Sequence, residues 1–310
     1  MTQLSRHISA FGGELNKYFD LGPGKIFVDL TLGDGGHTEQ ALKAGCKVIS
    51  FDVDPESITR AKNFLDNFAS PLIISKGTTP NQKIISEASW IIFQENFVNF
   101  SSCLSSIGVH EVDSILIDLG PSQNQILSSH RGFSFDSDEL LDMRIDPTLV
   151  VTAKDLLNVL NEGELRELFA LGGEDYASKI ARVICQLRKR EPIITCRQLA
   201  DIITRIKGSR TQGVHPATKV FMALRMAVNS ERENIRQVVS KLPQTLAPHG
   251  VAGIITFHSG EDGLVKSLLN DLINQGTVIA INKKPIEPSI EELKISKRTR
   301  SAKLRLIKKC

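Results

Sequence analysis

A short apolar run, Lys25-Ile-Phe-Val-Asp-Leu30, leads almost directly into a glycine loop, Gly33-Asp-Gly-Gly-His37. This junction constrains the fold more than any other feature of the chain. Thr38 to Ala44 reads as the start of a helix, and Lys47-Val-Ile-Ser-Phe-Asp52 as a second buried strand. A ligand of an open α/β sheet binds at the carboxyl ends of the strands, beside the first strand–helix turn. Glycines there let the backbone approach the ligand closely. Asp52 ends the next strand, 19 residues after Gly33. An acid at that point is placed to grip both ribose hydroxyls of an adenosine, so the series points to a nucleoside-containing cofactor.

Two cofactor classes compete for such a loop, and a glycine-rich turn without a ligand is the plainer alternative. Against a dinucleotide, Thr38 stands where the fingerprint wants Gly or Ala, and Asp34 sets a negative charge near the place of a pyrophosphate. S-adenosylmethionine (AdoMet) has no phosphate and carries a sulfonium cation, so it tolerates an acidic loop. Asp29, closing the first strand, is expected to face the ammonium of its methionine moiety, directly or through water. AdoMet is therefore the expected cofactor, and a methyltransferase the expected enzyme.

Further strand signals lie at Trp90-Ile-Ile-Phe93, Val112 to Asp118, Gly250 to Phe257, Thr277 to Ile281 and Leu304 to Ile307, with a helix over Pro55 to Phe68. Alternating strands and helices imply a parallel sheet with right-handed crossovers. Ser70 to Ser89 reads as a polar, irregular surface insertion. Between Asp155 and Ile206 the apolar spacing is helical, over Asp155–Phe169, Tyr176–Arg190 and Arg197–Ile206. The expected fold is α/β, a Rossmann-like AdoMet-dependent methyltransferase sheet with an inserted helical domain. Residues 1–125 and 216–310 would form the discontinuous core, and 126–215 the inserted substrate-recognition domain.

Charge adds a hint about partners. The net charge of +3 conceals a local balance of +7 from Lys283 to Cys310, which leaves about −4 elsewhere. A second basic stretch, Lys179 to Arg210, holds nine Lys or Arg against Glu191 and Asp201. Such segments suit phosphate contacts, although solvated helix faces and a tail account for them equally well by composition. No apolar run approaches a membrane span, and charges among the first twenty residues argue against a secretory signal. The five cysteines are scattered and never in a CxxC pair, which fits reduced thiols in a cytoplasm and no metal site.

The motifs Asp29-Leu-Thr-Leu-Gly-Asp-Gly-Gly-His37, Asp52-Val-Asp-Pro55, Asp118-Leu-Gly-Pro-Ser122, Arg131-Gly-Phe-Ser-Phe135, Leu141-Asp-Met-Arg-Ile-Asp146, His215-Pro-Ala-Thr218, Ala223-Leu-Arg-Met-Ala-Val-Asn229, Phe257-His-Ser259 and Arg300-Ser-Ala-Lys-Leu-Arg305 follow in that order. Together they resemble the RsmH (MraW) family over almost the whole chain. Those are bacterial methyltransferases that modify N4 of a cytidine in the decoding region of 16S ribosomal RNA. The resemblance implies AdoMet contacts from Gly35, Gly36, His37, Asp52, Phe97, Asp118 and Gln125, and the 16S rRNA or small ribosomal subunit as partner. The chain departs from the family pattern at His7 to Gly13, at Pro121, around Ser70 to Ser89, and at Gly260 and Gly263, where a Leu and an Arg are usual. These departures keep a second function in view, a ribosome-assembly factor that binds AdoMet and RNA with weakened catalysis. The oligomeric state stays open, with a homodimer as one candidate.

For the chemistry, the cytosine amine must be held in line with the sulfonium methyl, and an acceptor on that amine helps its proton leave. Asp118 is the preferred catalytic acceptor, with cofactor contact alone as its other role, and Ser122 or Asn124 as substitutes. Phe133 and Phe135 are candidate stacking residues for an extruded base. His215, Asn229, His258 and Ser259 are candidate target-pocket groups. The acids Asp136, Asp138, Glu139, Asp142 and Asp146 match no calcium loop, and an Asp142–Arg144 pair is expected there instead.

Overall fold

The computed structural model describes residues 9–78, 81–127, 131–208 and 215–310. The chain divides into two compact units. One takes the residues up to Gly120 together with Glu233–Cys310, and the other Pro121–Arg232.

The first unit is built on an eight-stranded sheet of order β3-β4-β2-β1-β5-β6-β8-β7. Its strands are β1 (Ile26–Asp29), β2 (Lys47–Phe51), β3 (Leu72–Ser75), β4 (Trp90–Gln94), β5 (Val112–Asp118), β6 (Leu246–Thr256), β7 (Val278–Ala280) and β8 (Lys303–Lys309). The first six are parallel, and β8 runs antiparallel to both β6 and β7. The strand residues are apolar on both faces because both faces are covered. Val28, Ile49, Phe51, Ile91, Phe93, Ile115 and Ile117 enter one core, while Phe27, Val48, Trp90, Ile92 and Leu116 enter the other. The period-2 alternation of the strand divides these sets.

One face is covered by α5 (Phe100–Ser106), α12 (Glu231–Thr245) and α13 (Ser259–Asn274), through Leu104, Val238, Leu242, Val265 and Leu269. The other is covered by α1 (Gly12–Tyr18), α2 (Gly36–Lys43) and α3 (Pro55–Leu65), through Leu15, Ala41, Ile58, Ala61 and Leu65. Asp54 starts α3 by accepting the Glu56 N–H at 3.0 Å, with Pro55 pre-set for the first turn. This unit also holds α4 (Gln82–Glu87) and α14 (Ile290–Ile295).

Two expectations are corrected here. The segment 70–89 is not simply irregular: it carries β3, which pairs with β4 at the sheet edge, and α4, capped by Asn81. Thr79 and Pro80 lie outside the described residues, as does His7. The basic C-terminal stretch carries the strand expected over Leu304–Ile307 and is not a tail. Lys303–Lys309 is an interior strand, and Arg305 and Lys303 pair with Asp262 at 2.7 and 3.3 Å.

The second unit is helical: α6 (Gln123–Leu127), α7 (Ala153–Val159), α8 (Glu162–Leu171), α9 (Ala177–Leu187), α10 (Cys196–Lys207) and α11 (Thr218–Val228). The periodic run from Asp155 breaks at Leu160 because Asn161 forms a capping box with Glu164 and starts a new helix. Thr152 and Thr195 cap α7 and α10 in the same way. Val220, Phe221, Ala223, Leu224 and Val228 of α11 belong to this unit's core. The unit therefore runs on well past residue 215 and begins before residue 126. Arg210, the end of the second basic stretch, lies outside the described residues.

Candidate active site

The glycine loop is stitched between its neighbours. Leu30 N–H donates to Leu116 O on β5, Leu32 N–H to Phe51 O on β2, and Gly35 N–H closes the turn on Leu32 O at 2.8 Å. Gly33 and Gly35 have φ of +52° and +83°, where a side chain is strained. A Cβ on Gly36 would lie 2.1 Å from Ser9 Oγ, so the segment before α1 presses directly on the loop.

Beneath the loop runs a buried polar chain. Trp90 Nε1 donates to Ser50 Oγ at 3.1 Å, Ser50 and Thr38 hydroxyls meet at 2.9 Å, and Thr38 Oγ1 donates to Asp29 Oδ2 at 2.8 Å. The other oxygen of Asp29 accepts the Thr31 N–H at 3.2 Å, and the residue is fully buried. Burial holds its carboxyl above the usual range. Asp29 thus braces the loop from below. Thr38, which sets the loop apart from a dinucleotide fingerprint, is the residue that anchors this brace.

Asp52 lies just beyond β2. Its Oδ2 accepts the Gly33 N–H at 3.0 Å and its Oδ1 the Asp54 N–H at 2.9 Å, and burial pushes its carboxyl up to about 7. Each carboxylate oxygen has a second lone pair, so both can still accept from a diol. Asp34 is turned to Arg60, whose Nε is 3.0 Å from Oδ1, so the negative charge of the loop is partly balanced. His37 Nε2 donates to Ala10 O at 2.8 Å. Its ring is committed to the preceding segment, and its backbone N–H in the first turn of α2 is what it can offer a ligand. Phe97 opens a 3-10 turn after β4 that Asn96 caps, half-buried against the core.

Asp118 ends β5, with its N–H donating to Thr31 Oγ1 at 2.7 Å. Its Oδ1 is buried without a hydrogen-bond partner, and burial raises its carboxyl to about 6. On the neighbouring strand end, His258 caps α13 by accepting the Glu261 N–H on Nδ1 at 3.3 Å. Ser259, next to it, is exposed. Glu261 was not legible as a site residue, although His258-x-x-Glu261 has the spacing of a capping box, and Glu261 Oε2 does accept the Phe257 N–H at 3.1 Å.

These residues fit a nucleoside with a cationic centre. A strained glycine cradle, a strand-end carboxylate with lone pairs to spare and an unpartnered buried carboxylate oxygen lie at the carboxyl ends of β1, β2 and β5. Gly35, Gly36, Asp52, Phe97 and Asp118 are the residues of this unit that would hold AdoMet, with the backbone of His37.

Other expected site residues belong to the helical unit. Gln125 is buried, its Oε1 accepting the Ser122 N–H at 2.8 Å. Phe135 stacks on His215 at 4.5 Å and meets Phe221 edge-on at 4.8 Å, and Phe133 packs against the same core. Asn229 Oδ1 accepts the Ile145 N–H at 2.8 Å, while its Nδ2 donates to Met143 O and Arg225 O. Its amide thus clamps the turn at Met143, where φ is +62°. Asp142 and Arg144 form the expected pair, bidentate at 2.7 Å. Among the described residues no group of three or more His, Cys, Asp or Glu is arranged to hold a metal ion.

The sequence profile of the MraW methylase family matches residues 4–310. The chain belongs to the MraW methylase family. It is 36% identical over 327 residues to a ribosomal RNA small subunit methyltransferase H of Desulfosudis oleivorans, covering 98% of this chain and 99% of that protein. Proteins of the same name from Pseudothermotoga lettingae and a Cyanothece species are 36% and 37% identical, covering 97% of this chain and 97% and 93% of theirs. Membership of the MraW family makes the chain an AdoMet-dependent methyltransferase. No helix among the described residues is long and apolar enough to cross a membrane.

Proposed function

We propose that this methyltransferase transfers a methyl group to N4 of a cytidine in the 16S RNA of the small ribosomal subunit, in the bacterial cytoplasm. The relatives' names supply the RNA class, and one observation carries the choice of an amine: the buried, unpartnered Asp118 Oδ1 at the end of β5. AdoMet supplies an electrophilic methyl carbon on a sulfonium. Asp52 and the glycine loop hold its nucleoside part, and Phe97 offers an apolar surface for the adenine. The cytosine amine is a weak nucleophile because its lone pair is delocalised into the ring. Asp118 Oδ1 accepts one N4–H and so orients the lone pair toward the methyl carbon. As the N–C bond forms and the S–C bond breaks, the surplus N4 proton passes to Asp118, which a carboxyl raised to about 6 accepts readily.

The experiment is nucleoside mass spectrometry of small-subunit RNA from a deletion strain, complemented with the natural chain or with Asp118→Ala. Loss of N4-methylcytidine on deletion, restored by the natural chain alone, is expected. Unchanged N4-methylcytidine after deletion refutes the proposal. Restoration by Asp118→Ala removes Asp118 from the chemistry.

A further inference from the structure

β5 and β6 lie side by side, with Asp118 opposite Ile255 and the Leu119 N–H donating to Ile255 O at 3.0 Å. Their carboxyl ends bring two buried polar atoms without a hydrogen-bond partner to the same edge of the sheet, Asp118 Oδ1 and His258 Nε2. The other such atoms among the described residues, Gln40 Oε1 and Ser114 Oγ, lie within α2 and β5. A buried polar atom without a hydrogen bond is costly, so two past adjoining strand ends are candidates for a ligand's donor and acceptor.

The two atoms differ in kind. Asp118 Oδ1 is an acceptor. His258 Nδ1 accepts the Glu261 N–H at 3.3 Å, so the neutral ring carries its proton on Nε2 and that atom is a donor. Glu261 Oε1 lies 2.8 Å from Nε2, out of line for a hydrogen bond, and its negative charge favours a proton there. Glu261 is itself fixed, buried and accepting the Phe257 N–H.

We propose that Asp118 and His258 read the Watson–Crick edge of the target cytosine as an acceptor–donor pair, with Glu261 as the positioning residue that keeps the His258 proton on Nε2. Cytosine presents an N4–H donor beside the N3 acceptor, which matches an acceptor, Asp118 Oδ1, at one strand end and a donor, His258 Nε2–H, just past the end of the neighbouring strand. Uracil presents O4 beside N3–H, which opposes both groups. A site built to hydrogen-bond one pattern rejects the other because its own buried groups stay unpaired. The inference rests on the cytidine reading above and adds how the base is chosen.

The test uses the full chain and a target RNA made with cytidine or with 3-deazacytidine, which replaces N3 by C–H and keeps N4. The natural enzyme is expected to lose about tenfold or more in kcat/KM on the 3-deaza substrate. In His258→Leu, already slow on cytidine, the ratio between the two substrates falls to near one. In Glu261→Gln the ratio is intermediate, a change that a purely structural role of Glu261 does not produce. AdoMet affinity by calorimetry stays within a few-fold for both variants. A ratio near one in the natural enzyme on a productive cytidine substrate overturns the pair, as does an undiminished ratio in His258→Leu. Methyl groups found on another base, with no N4-methylcytidine, overturn the cytidine reading and the pair with it.

Discussion

The Asp52 carboxylate accepts the Gly33 N–H at 3.0 Å, so the group expected to hold the ribose also sets the loop that receives the rest of the cofactor. Asp52→Ala is therefore expected to abolish AdoMet binding in calorimetry while circular dichroism stays unchanged. Burial raises this carboxyl from its ordinary 3.8 to about 7 in the folded chain. A raised carboxyl adds stability that is fully present below about pH 4 and lost as pH rises through 7. Asp52→Asn removes the charge but turns its amide nitrogen toward one of the two backbone N–H donors, so it is read by pH dependence: the fall in melting temperature of the cofactor-free chain between pH 5 and pH 8 should be smaller than in the natural chain by about 2–4 °C. An equal fall in both chains counts against this cost of an ionised site.

The strands flanking the site were legible because each is an apolar run ending in a turn signal, and Asp52 and Asp118 were legible as the acids at their ends. The edge strand Leu72–Ser75 was not, since Ile73 is exposed and polar residues surround so short a run. Pairing with β4 decides it, and pairing is not local. Asp34 looked like an unbalanced loop charge because Arg60 reaches it only once α3 has packed beside the loop. The clamp made by Asn229 was not legible, because a polar residue after a helix gives no sign of the carbonyls it will meet. Glu261 looked like one of several solubilising acids near a helix start.

The basic C-terminus was legible as a strand over Leu304–Ile307, though its interior place in the sheet was not, and it yields a clear outcome. β8 supplies the middle rung between β6 and β7, and buries Leu304, Leu306 and Ile307. Truncation after Ala302 should abolish cooperative melting, rather than merely weaken RNA binding in a salt-dependent way. A truncated chain that melts cooperatively and binds AdoMet would restore the reading of this segment as a tail.

In the helical unit, Asn229 joins the end of α11 to the turn at Met143 through Ile145 N–H and Met143 O. Asn229→Ala leaves these backbone groups to find new partners, and a destabilisation of about 1–3 kcal/mol is expected in urea unfolding. Asn229→Asp restores only the acceptor half, so its loss should be intermediate. A loss under about 0.5 kcal/mol in Asn229→Ala would show that water replaces the clamp.

Lys207 Nζ lies 2.7 Å from Glu174 Oε2 and 2.9 Å from Pro216 O, which fixes the end of α10 against the start of the next described segment. The Glu174 side chain is fully buried. Lys207→Met leaves that carboxylate uncompensated and should destabilise the chain by about 3 kcal/mol, whereas the double variant Lys207→Met with Glu174→Leu recovers most of the loss. Additive losses in the double variant, read from the same unfolding curves, exclude a coupled pair.

Asp118 links the pH dependence of the reaction to its geometry. Burial raises its carboxyl to about 6, and the negative charges of Asp29 and Glu261 act in the same direction while His37 opposes them. Only the ionised form can take up the N4 proton, so single-turnover methyl transfer should fall as pH drops through about 6, and level off above about 7. Asp118→Asn keeps the shape of the side chain, removes the charge, and should lower the transfer rate at pH 8 by about 10²-fold or more. What remains of its activity should lose the limb near pH 6. A limb that persists unchanged in Asp118→Asn assigns the titration to another group and removes Asp118 from the pH dependence.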